Sequence, residues 1–288
     1  MAKTHPISIT NEHHGLAGNL VLPDGATQER PVPGAVVLGG PGPAPLQRYS
    51  AEGNRQWPVL WSEAFGAAGL AGLCYDQRGS GLSTGLYHEA AWEGLYDDAK
   101  AATEMLAIQP EVGRVAAIAW GEGAGFGLQL AAEGKVDGLI LLAPGFLTAE
   151  VRYATQMEEL AARKGLSDRV VQIRVNQWRS EIESVIKRVE KGETTTVTEV
   201  GGQPVTTNLL RFLQTIVFDP APLAGRVKVP TLILHGEEDT VIRPHESESL
   251  AGALGGPVER ILYPGQAHFL YRHSQATADA VAWIKRHL

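Results

Sequence analysis

Two residues near the C-terminal end of this sequence are suited to acid–base chemistry. Asp239 ends the turn Gly236-Glu237-Glu238-Asp239, and His268 ends the turn Pro264-Gly265-Gln266-Ala267-His268; each turn follows an apolar run. An imidazole that is oriented by a carboxylate accepts a proton near neutral pH, from a hydroxyl, from water or from a carbon acid. What this pair can do therefore depends on the elements that position the two turns.

Short apolar runs alternate with helical patterns along most of the chain. Residues 7–10 and 16–22 predict an antiparallel pair of strands. Short, mainly apolar runs lie at residues 35–38, 69–75, 115–119, 139–142, 231–234 and 260–263. Helical spacing is found at residues 60–68, 90–108 and 126–132. Apolar runs that are separated by helices predict an α/β fold, with a mostly parallel central sheet flanked by helices.

One stretch, residues 146–219, breaks this alternation. Residues 150–164 and 168–191 have long, charge-rich helical patterns. The β-branched residues 194–198 and Gly201-Gly202 predict a polar connection. An ordinary exposed helix pair is the alternative to an insertion that covers the C-terminal edge of the sheet. The predicted domains are an α/β core of residues 1–145 and 220–288 and a helical cap of residues 146–219.

Composition excludes several classes of partner. The 288 residues carry a formal net charge of −7, whereas a nucleic-acid-binding face needs clustered basic residues. The single cysteine, Cys74, excludes an internal disulfide and a multi-cysteine metal site. No signal-peptide pattern and no apolar run of membrane-spanning length is present, which predicts a soluble, cytoplasmic protein without a membrane partner. The sequence carries no signal for an oligomeric state.

Nucleotide and metal chemistry find no support in the motifs. The glycine-rich residues 121–127 follow an apolar run, but neither Phe126 nor Leu128 supplies the third glycine of a dinucleotide-binding fingerprint. No phosphate-binding loop pattern and no H-E-x-x-H pair occurs. The sequence therefore predicts no cofactor and no metal ion.

Four segments resemble the α/β-hydrolase superfamily, most closely its bacterial carboxylesterase and serine-peptidase-like branch. They are Leu38-Gly39-Gly40-Pro41-Gly42-Pro43, Tyr75-Asp76-Gln77-Arg78-Gly79-Ser80-Gly81-Leu82-Ser83, Ala119-Trp120-Gly121-Glu122-Gly123-Ala124, and Leu234-His235-Gly236-Glu237-Glu238-Asp239-Thr240-Val241 with the turn that ends at His268. In the superfamily these positions hold the oxyanion loop, the D-x-R-G-x-G-x-S stretch, the G-x-S-x-G-G nucleophile elbow, and the acid turn with the histidine loop. The resemblance implies an α/β-hydrolase fold and a carboxylic-ester hydrolase that acts on a small-molecule ester or related acyl substrate.

The resemblance assigns roles to the acid–base pair. His268 would take the proton of a nucleophile, while Asp239 would fix the imidazole tautomer and stabilise the imidazolium. Glu238 is the nearest competitor for the role of Asp239, and Glu237 is a weaker one. Positions 121, 239 and 268 follow the superfamily's chain order of nucleophile, acid and histidine.

The resemblance also implies two backbone N–H donors for a tetrahedral oxyanion. We assign them to Gly40 and Glu122. If the loop aligns one residue later, Pro41 has no N–H and Gly42 would have to donate instead. The Glu122 side chain is expected to cap the following helix, and Trp120 to line an acyl or alcohol pocket.

The nucleophile position of the elbow holds Gly121, which has no side chain to attack with. A member of the branch has serine there. Cys74, Ser80 and Ser83 lie on or beyond another strand and are poor substitutes. Because the elbow backbone is strained, glycine at this position relieves the strain while it deletes the chemistry.

Two origins fit a glycine at this position: an engineered inactive variant made to trap a ligand, or a natural loss of the hydrolytic role. We favour the first, because Asp239 and His268 have no obvious reason to persist without a nucleophile. The chain as written is expected to hydrolyse esters barely, if at all. The alternatives are a non-catalytic ligand-binding protein, and a lyase or isomerase in which His268 is the general base.

Overall fold

The computed structural model describes residues 2–11, 14–40, 56–200 and 203–288. The strands in these residues are β1 (Lys3–Asn11), β2 (His14–Leu22), β3 (Val32–Leu38), β4 (Ala71–Tyr75), β5 (Val112–Trp120), β6 (Gly138–Leu142), β7 (Thr195–Val200), β8 (Gln203–Asn208), β9 (Thr231–Gly236) and β10 (Val258–Tyr263). The α-helices are α1 (Trp57–Ala67), α2 (Trp92–Ala107), α3 (Glu122–Ala132), α4 (Ala149–Lys164), α5 (Asp168–Glu190), α6 (Leu209–Val217), α7 (Ala221–Ala224), α8 (Pro244–Ala253) and α9 (Ser274–His287). Two 3₁₀ turns lie at Tyr87–Glu89 and Leu270–Arg272.

Within the described residues, eight strands form one sheet in the order β1-β2-β4-β3-β5-β6-β9-β10. The pairs β1–β2 and β2–β4 are antiparallel, and every pairing from β4 to β10 is parallel. Strands β4, β6 and β9 are buried along their whole length, so both of their faces are covered. This explains why their sequences are continuous apolar runs. The predicted α/β fold with a mostly parallel sheet is confirmed.

The described chain divides into two compact units. The larger unit comprises Met1–Tyr87, Leu95–Phe146 and Ala221–Leu288 and contains the eight-stranded sheet. The smaller unit comprises His88–Gly94 and Leu147–Pro220. None of the described helices is both long and apolar enough to cross a lipid bilayer.

The smaller unit contains a β-hairpin where the sequence predicts a polar connection, and that prediction was wrong. Strands β7 and β8 pair antiparallel, from Thr195 opposite Asn208 to Val200 opposite Gln203. Residues 194–198 are five consecutive β-branched residues, which favour an extended strand. Gly201 and Gly202 lie outside the described residues. The Asn208 side chain then begins α6, because its Oδ1 accepts the Arg211 N–H at 2.8 Å.

Residues 76–83, which follow β4 in the larger unit, are fixed by hydrogen bonds from their own side chains. Asp76 accepts the Leu82 N–H at 2.9 Å, and the Ser83 hydroxyl donates to the Asp76 carbonyl at 2.6 Å. Arg78 forms a two-point ion pair with Asp98 of α2, with both N–O distances 2.7 Å. These contacts tie the D-x-R-G-x-G-x-S stretch to the sheet and to α2.

Candidate functional site

Asp239 and His268 meet between two turns of the larger unit. The Asp239 side chain is buried, and its Oδ2 accepts the His268 Nδ1–H at 2.8 Å. Its Oδ1 accepts two backbone N–H groups of its own turn, from Val241 at 2.8 Å and from Ile242 at 2.9 Å. A carboxylate that is fixed at both oxygens holds the imidazole in one orientation and one tautomer.

The hydrogen bonds around Asp239 keep its carboxylate ionised. Burial alone raises the pKa of Asp239, but the hydrogen bonds from His235, from His268 and from the Ile242 N–H outweigh it. The net effect is a pKa well below the ordinary range of an aspartate. The carboxylate is therefore negative throughout the neutral range, as an orienting acid requires.

The two turns approach each other through Gly236, the last residue of β9. A Cβ atom at this position would overlap the Gln266 carbonyl and would lie 2.6 Å from the Ala267 carbonyl oxygen. The Glu238 N–H donates to the Gln266 carbonyl at 2.9 Å, so backbone hydrogen bonding also joins the turns. Both Glu238 and Glu237, the competitors for the acid position, are exposed.

His268 packs against the aromatic residue that precedes Gly121. The ring centroids of His268 and Trp120 are 5.6 Å apart, and Phe269 and Tyr271 also contact the indole. The His268 side chain is 11% exposed, with Nδ1 bound to Asp239. The hydrogen bond found for this ring within the described residues is at Nδ1.

Gly121 lies between the end of β5 and the start of α3. Its backbone has φ 62° and ψ −127°, a combination that L-residues rarely adopt. The helix begins at Glu122, four residues earlier than its predicted start at 126. The Glu122 backbone N–H lies in the first turn of α3, directly after Gly121. Gly123 packs closely, since a Cβ there would lie 2.6 Å from the Gly39 carbonyl oxygen.

Gly40 contacts the same indole from the end of β3. A Cβ atom at position 40 would overlap the six-membered ring of Trp120, so only glycine fits here without a shift. The structure therefore brings Gly40, Trp120 and His268 together, with Asp239 behind the imidazole. Pro41 and Gly42, which bear on the alternative alignment of the loop, lie outside the described residues.

The other possible nucleophiles are engaged elsewhere or buried. Cys74 is buried in β4, and burial raises the pKa of its thiol to about 11. The Ser83 hydroxyl accepts the Ala17 N–H at 2.9 Å while it donates to Asp76. Among the described residues, no group of three or more His, Cys, Asp or Glu side chains is arranged to hold a metal ion.

Sequence reasoning missed a second histidine at the acid. His235 Nε2 lies 3.2 Å from Asp239 Oδ2, and both side chains are fully buried. The spacing could have indicated this contact, because His235 precedes Asp239 by four residues in a tight turn. A histidine inside an apolar strand is otherwise hard to distinguish from a core residue.

Gly121→Ala is expected to lower the free energy of unfolding by about 2–3 kcal/mol, because a Cβ is strained in this backbone conformation. Gly134 offers a matched control just beyond the other end of α3. It has φ 69° and no atom within 4 Å of a built Cβ, so Gly134→Ala should cost only about 1 kcal/mol. Urea unfolding of both variants measures the difference. A cost at position 121 no larger than at position 134 would contradict strain relief by Gly121.

The fold and the order of its turns define the class of protein. The sheet order, the turn at Gly121 and the acid and histidine turns are those of an α/β-hydrolase. The chain belongs to the serine aminopeptidase S33 family, whose model matches residues 61–275.

Solved structures of low sequence identity share this fold. Est1E from Butyrivibrio proteoclasticus, solved with ferulic acid, is 15% identical with a TM-score of 0.67, and the match covers 98% of each chain. The Pyrococcus furiosus esterase Pf2001 is 16% identical with a TM-score of 0.64, covering 99% of this chain and 91% of that one. A cold-adapted esterase from an Arctic intertidal metagenomic library is 13% identical with a TM-score of 0.60, covering 100% and 94%. No curated protein matches the chain.

Proposed function

We propose that this chain is a carboxylic-ester hydrolase scaffold in which His268 and Asp239 are the acid–base pair and Gly121 occupies the nucleophile position. The observation that carries the proposal is the packing of His268, held by Asp239, on Trp120, the residue directly before Gly121. A base next to the elbow is what proton transfer from an elbow side chain requires.

The proposed chemistry of a serine at position 121 runs in two halves. The serine Oγ attacks the ester carbonyl while His268 Nε2 takes its proton, and the oxyanion is held by the N–H groups of Gly40 and Glu122. The alkoxide leaves with that proton as an alcohol. A water then gives its proton to His268 and attacks the acyl-serine, which releases the carboxylic acid and restores the hydroxyl.

Glycine at position 121 removes the attacking atom and leaves the rest of this arrangement. Formation of an acyl-enzyme is then impossible, so turnover of esters by the present chain should be very low. The esterase neighbours, one of them solved with ferulic acid, support a small-molecule acyl substrate. We also propose that residues 146–219 form the helical cap of a core made of residues 1–145 and 220–288.

A fluorophosphonate probe tests the proposal without a choice of ester. Serine at an activated elbow displaces fluoride from the phosphorus and keeps the phosphonyl group, which intact-protein mass spectrometry detects. The present chain and Gly121→Ala should stay unlabelled, whereas Gly121→Ser should gain one adduct at position 121. Addition of His268→Ala to the serine variant should slow labelling by about 10²-fold or more, since the general base is gone.

Two results would count against this function. A folded Gly121→Ser variant that is not labelled would mean that the turn does not activate a hydroxyl. Labelling at an equal rate with and without His268 would mean that the imidazole is not its base. Either result would favour the other roles for the pair, ligand binding or general-base catalysis on a carbon acid.

A further inference from the structure

A second imidazole contacts the carboxylate that orients His268. His235 is the last residue but one of the buried strand β9, and its Nε2 lies 3.2 Å from Asp239 Oδ2 and 3.0 Å from the Ile242 carbonyl oxygen. Its other ring nitrogen, Nδ1, is buried without a hydrogen-bond partner among the described residues.

The surroundings of His235 fix its tautomer. Both atoms that face Nε2 are acceptors, a carboxylate oxygen and a backbone carbonyl, so the proton must be on Nε2. The opposite tautomer would set a lone pair against two acceptors and would leave a buried N–H on Nδ1 unpaired, which costs more. The single Nε2–H of His235 is therefore shared between the Ile242 carbonyl oxygen at 3.0 Å and Asp239 Oδ2 at 3.2 Å.

Four N–H groups then surround the two oxygens of Asp239. Val241 and Ile242 hold Oδ1 through the backbone, while His268 and His235 both face Oδ2. The two backbone contacts hold Oδ1, but without His235 the only group that faces Oδ2 is the imidazole that the carboxylate has to orient. His235 contacts Oδ2 from the protein interior, so the position of Oδ2 no longer depends on His268 alone.

We infer that His235 is a positioning residue: its Nε2–H holds the Asp239 carboxylate in the orientation that binds the His268 Nδ1–H. The same Nε2–H also contacts the Ile242 carbonyl oxygen, which ties the acid turn to β9. The relevance of this role to catalysis rests on the proposed function. The hydrogen bond between His268 and Asp239 can nevertheless be measured without any activity.

Proton NMR of the chain with ¹⁵N-labelled histidine tests the inference. The His268 Nδ1–H that is bound to a carboxylate should give a far-downfield signal, assigned by its loss in His268→Ala. His235→Gln places an amide nitrogen at the same number of bonds from Cα, so the donor is kept and solvent exchange of the signal should stay within about twofold. His235→Leu removes the donor, and exchange should accelerate about tenfold, which corresponds to about 1.4 kcal/mol.

Two controls separate positioning from simple destabilisation. Gly134→Ala weakens the fold at a distant helix end and should leave the exchange rate unchanged. His235→Asn has an amide too short to reach Asp239, and it replaces His235→Leu if the leucine variant does not fold. Exchange that is as slow in the leucine or asparagine variant as in the glutamine variant would overturn the inference.

The same variants in the Gly121→Ser background separate this inference from the proposed function. With turnover restored, His235→Leu should lower kcat about tenfold with KM unchanged, and His235→Gln should stay within about threefold of the parent. Failure of Gly121→Ser to turn over esters would defeat the proposed function and leave the NMR result valid. Unchanged kcat in a folded His235→Leu enzyme would defeat the positioning role alone.

Discussion

Gly121→Ser is expected to raise the hydrolysis of short-chain p-nitrophenyl esters by at least about 10³-fold over the present chain. The residues of a catalytic triad act as a unit, so loss of the nucleophile removes most of the rate enhancement. The remaining groups accelerate the reaction only slightly. His268, the proposed base, is bound to Asp239 and packs on Trp120, the residue directly before Gly121. Only the hydroxyl has to be added.

Release of p-nitrophenol should show a burst equal to one equivalent of enzyme, followed by slower turnover, because an acyl-serine accumulates. Gly121→Ala is the matched control, since it carries the same backbone strain without a hydroxyl. Gly121→Ser with His268→Ala should show neither phase. A serine variant that is folded yet has no burst and no turnover above this double variant would refute the assignment of the nucleophile position.

Asp239→Asn in the Gly121→Ser background should lower kcat by about 10⁴-fold, the loss expected when the histidine of a triad is held in the wrong tautomer. The amide oxygen can still accept the backbone N–H groups of Val241 and Ile242. The amide nitrogen, however, replaces Oδ2 as a donor, so His268 Nδ1 must become the acceptor. The imidazole proton then moves to Nε2, which can no longer take a proton from serine.

Glu238→Gln is the control for this prediction, because Glu238 is the exposed neighbour in the same turn. It should leave kcat within about twofold of the parent, since a solvated surface charge contributes little. Stopped assays under saturating ester, together with urea unfolding of each variant, separate chemistry from stability. Equal losses of kcat in Asp239→Asn and Glu238→Gln would show that catalysis depends on the negative charge of the turn and not on the tautomer of His268.

Periodicity predicted most of the fold because buried parallel strands leave little choice of residue. The runs that became β4, β6 and β9 have both faces covered, so most of their positions are apolar. The start of α3 was misplaced by four residues because Gly123, Gly125 and Gly127 weaken a helical pattern. Close packing explains two of these glycines, since a Cβ at position 123 would lie 2.6 Å from the Gly39 carbonyl oxygen and one at position 127 would lie 2.9 Å from the Ala119 Cβ.

The acid turn marks the limit of sequence reasoning at the site. Asp239, Glu238 and Glu237 are consecutive carboxylates, and no periodicity in a turn says which one faces the histidine. The structure buries Asp239 against His268 and exposes the two glutamates. Gly236 determines which carboxylate faces His268, because it allows the acid turn to pack on the backbone of the histidine loop.

The sequence by itself determined the alternation of strands and helices, the order of the turns and the glycine at position 121, since these depend on local residue types. Only the tertiary structure decided the contacts among Asp239, His268, His235 and Trp120, because these residues come from three separate strand ends. Parallel strands bring their carboxyl ends to one edge of the sheet, and distances across that edge depend on packing that no single segment encodes.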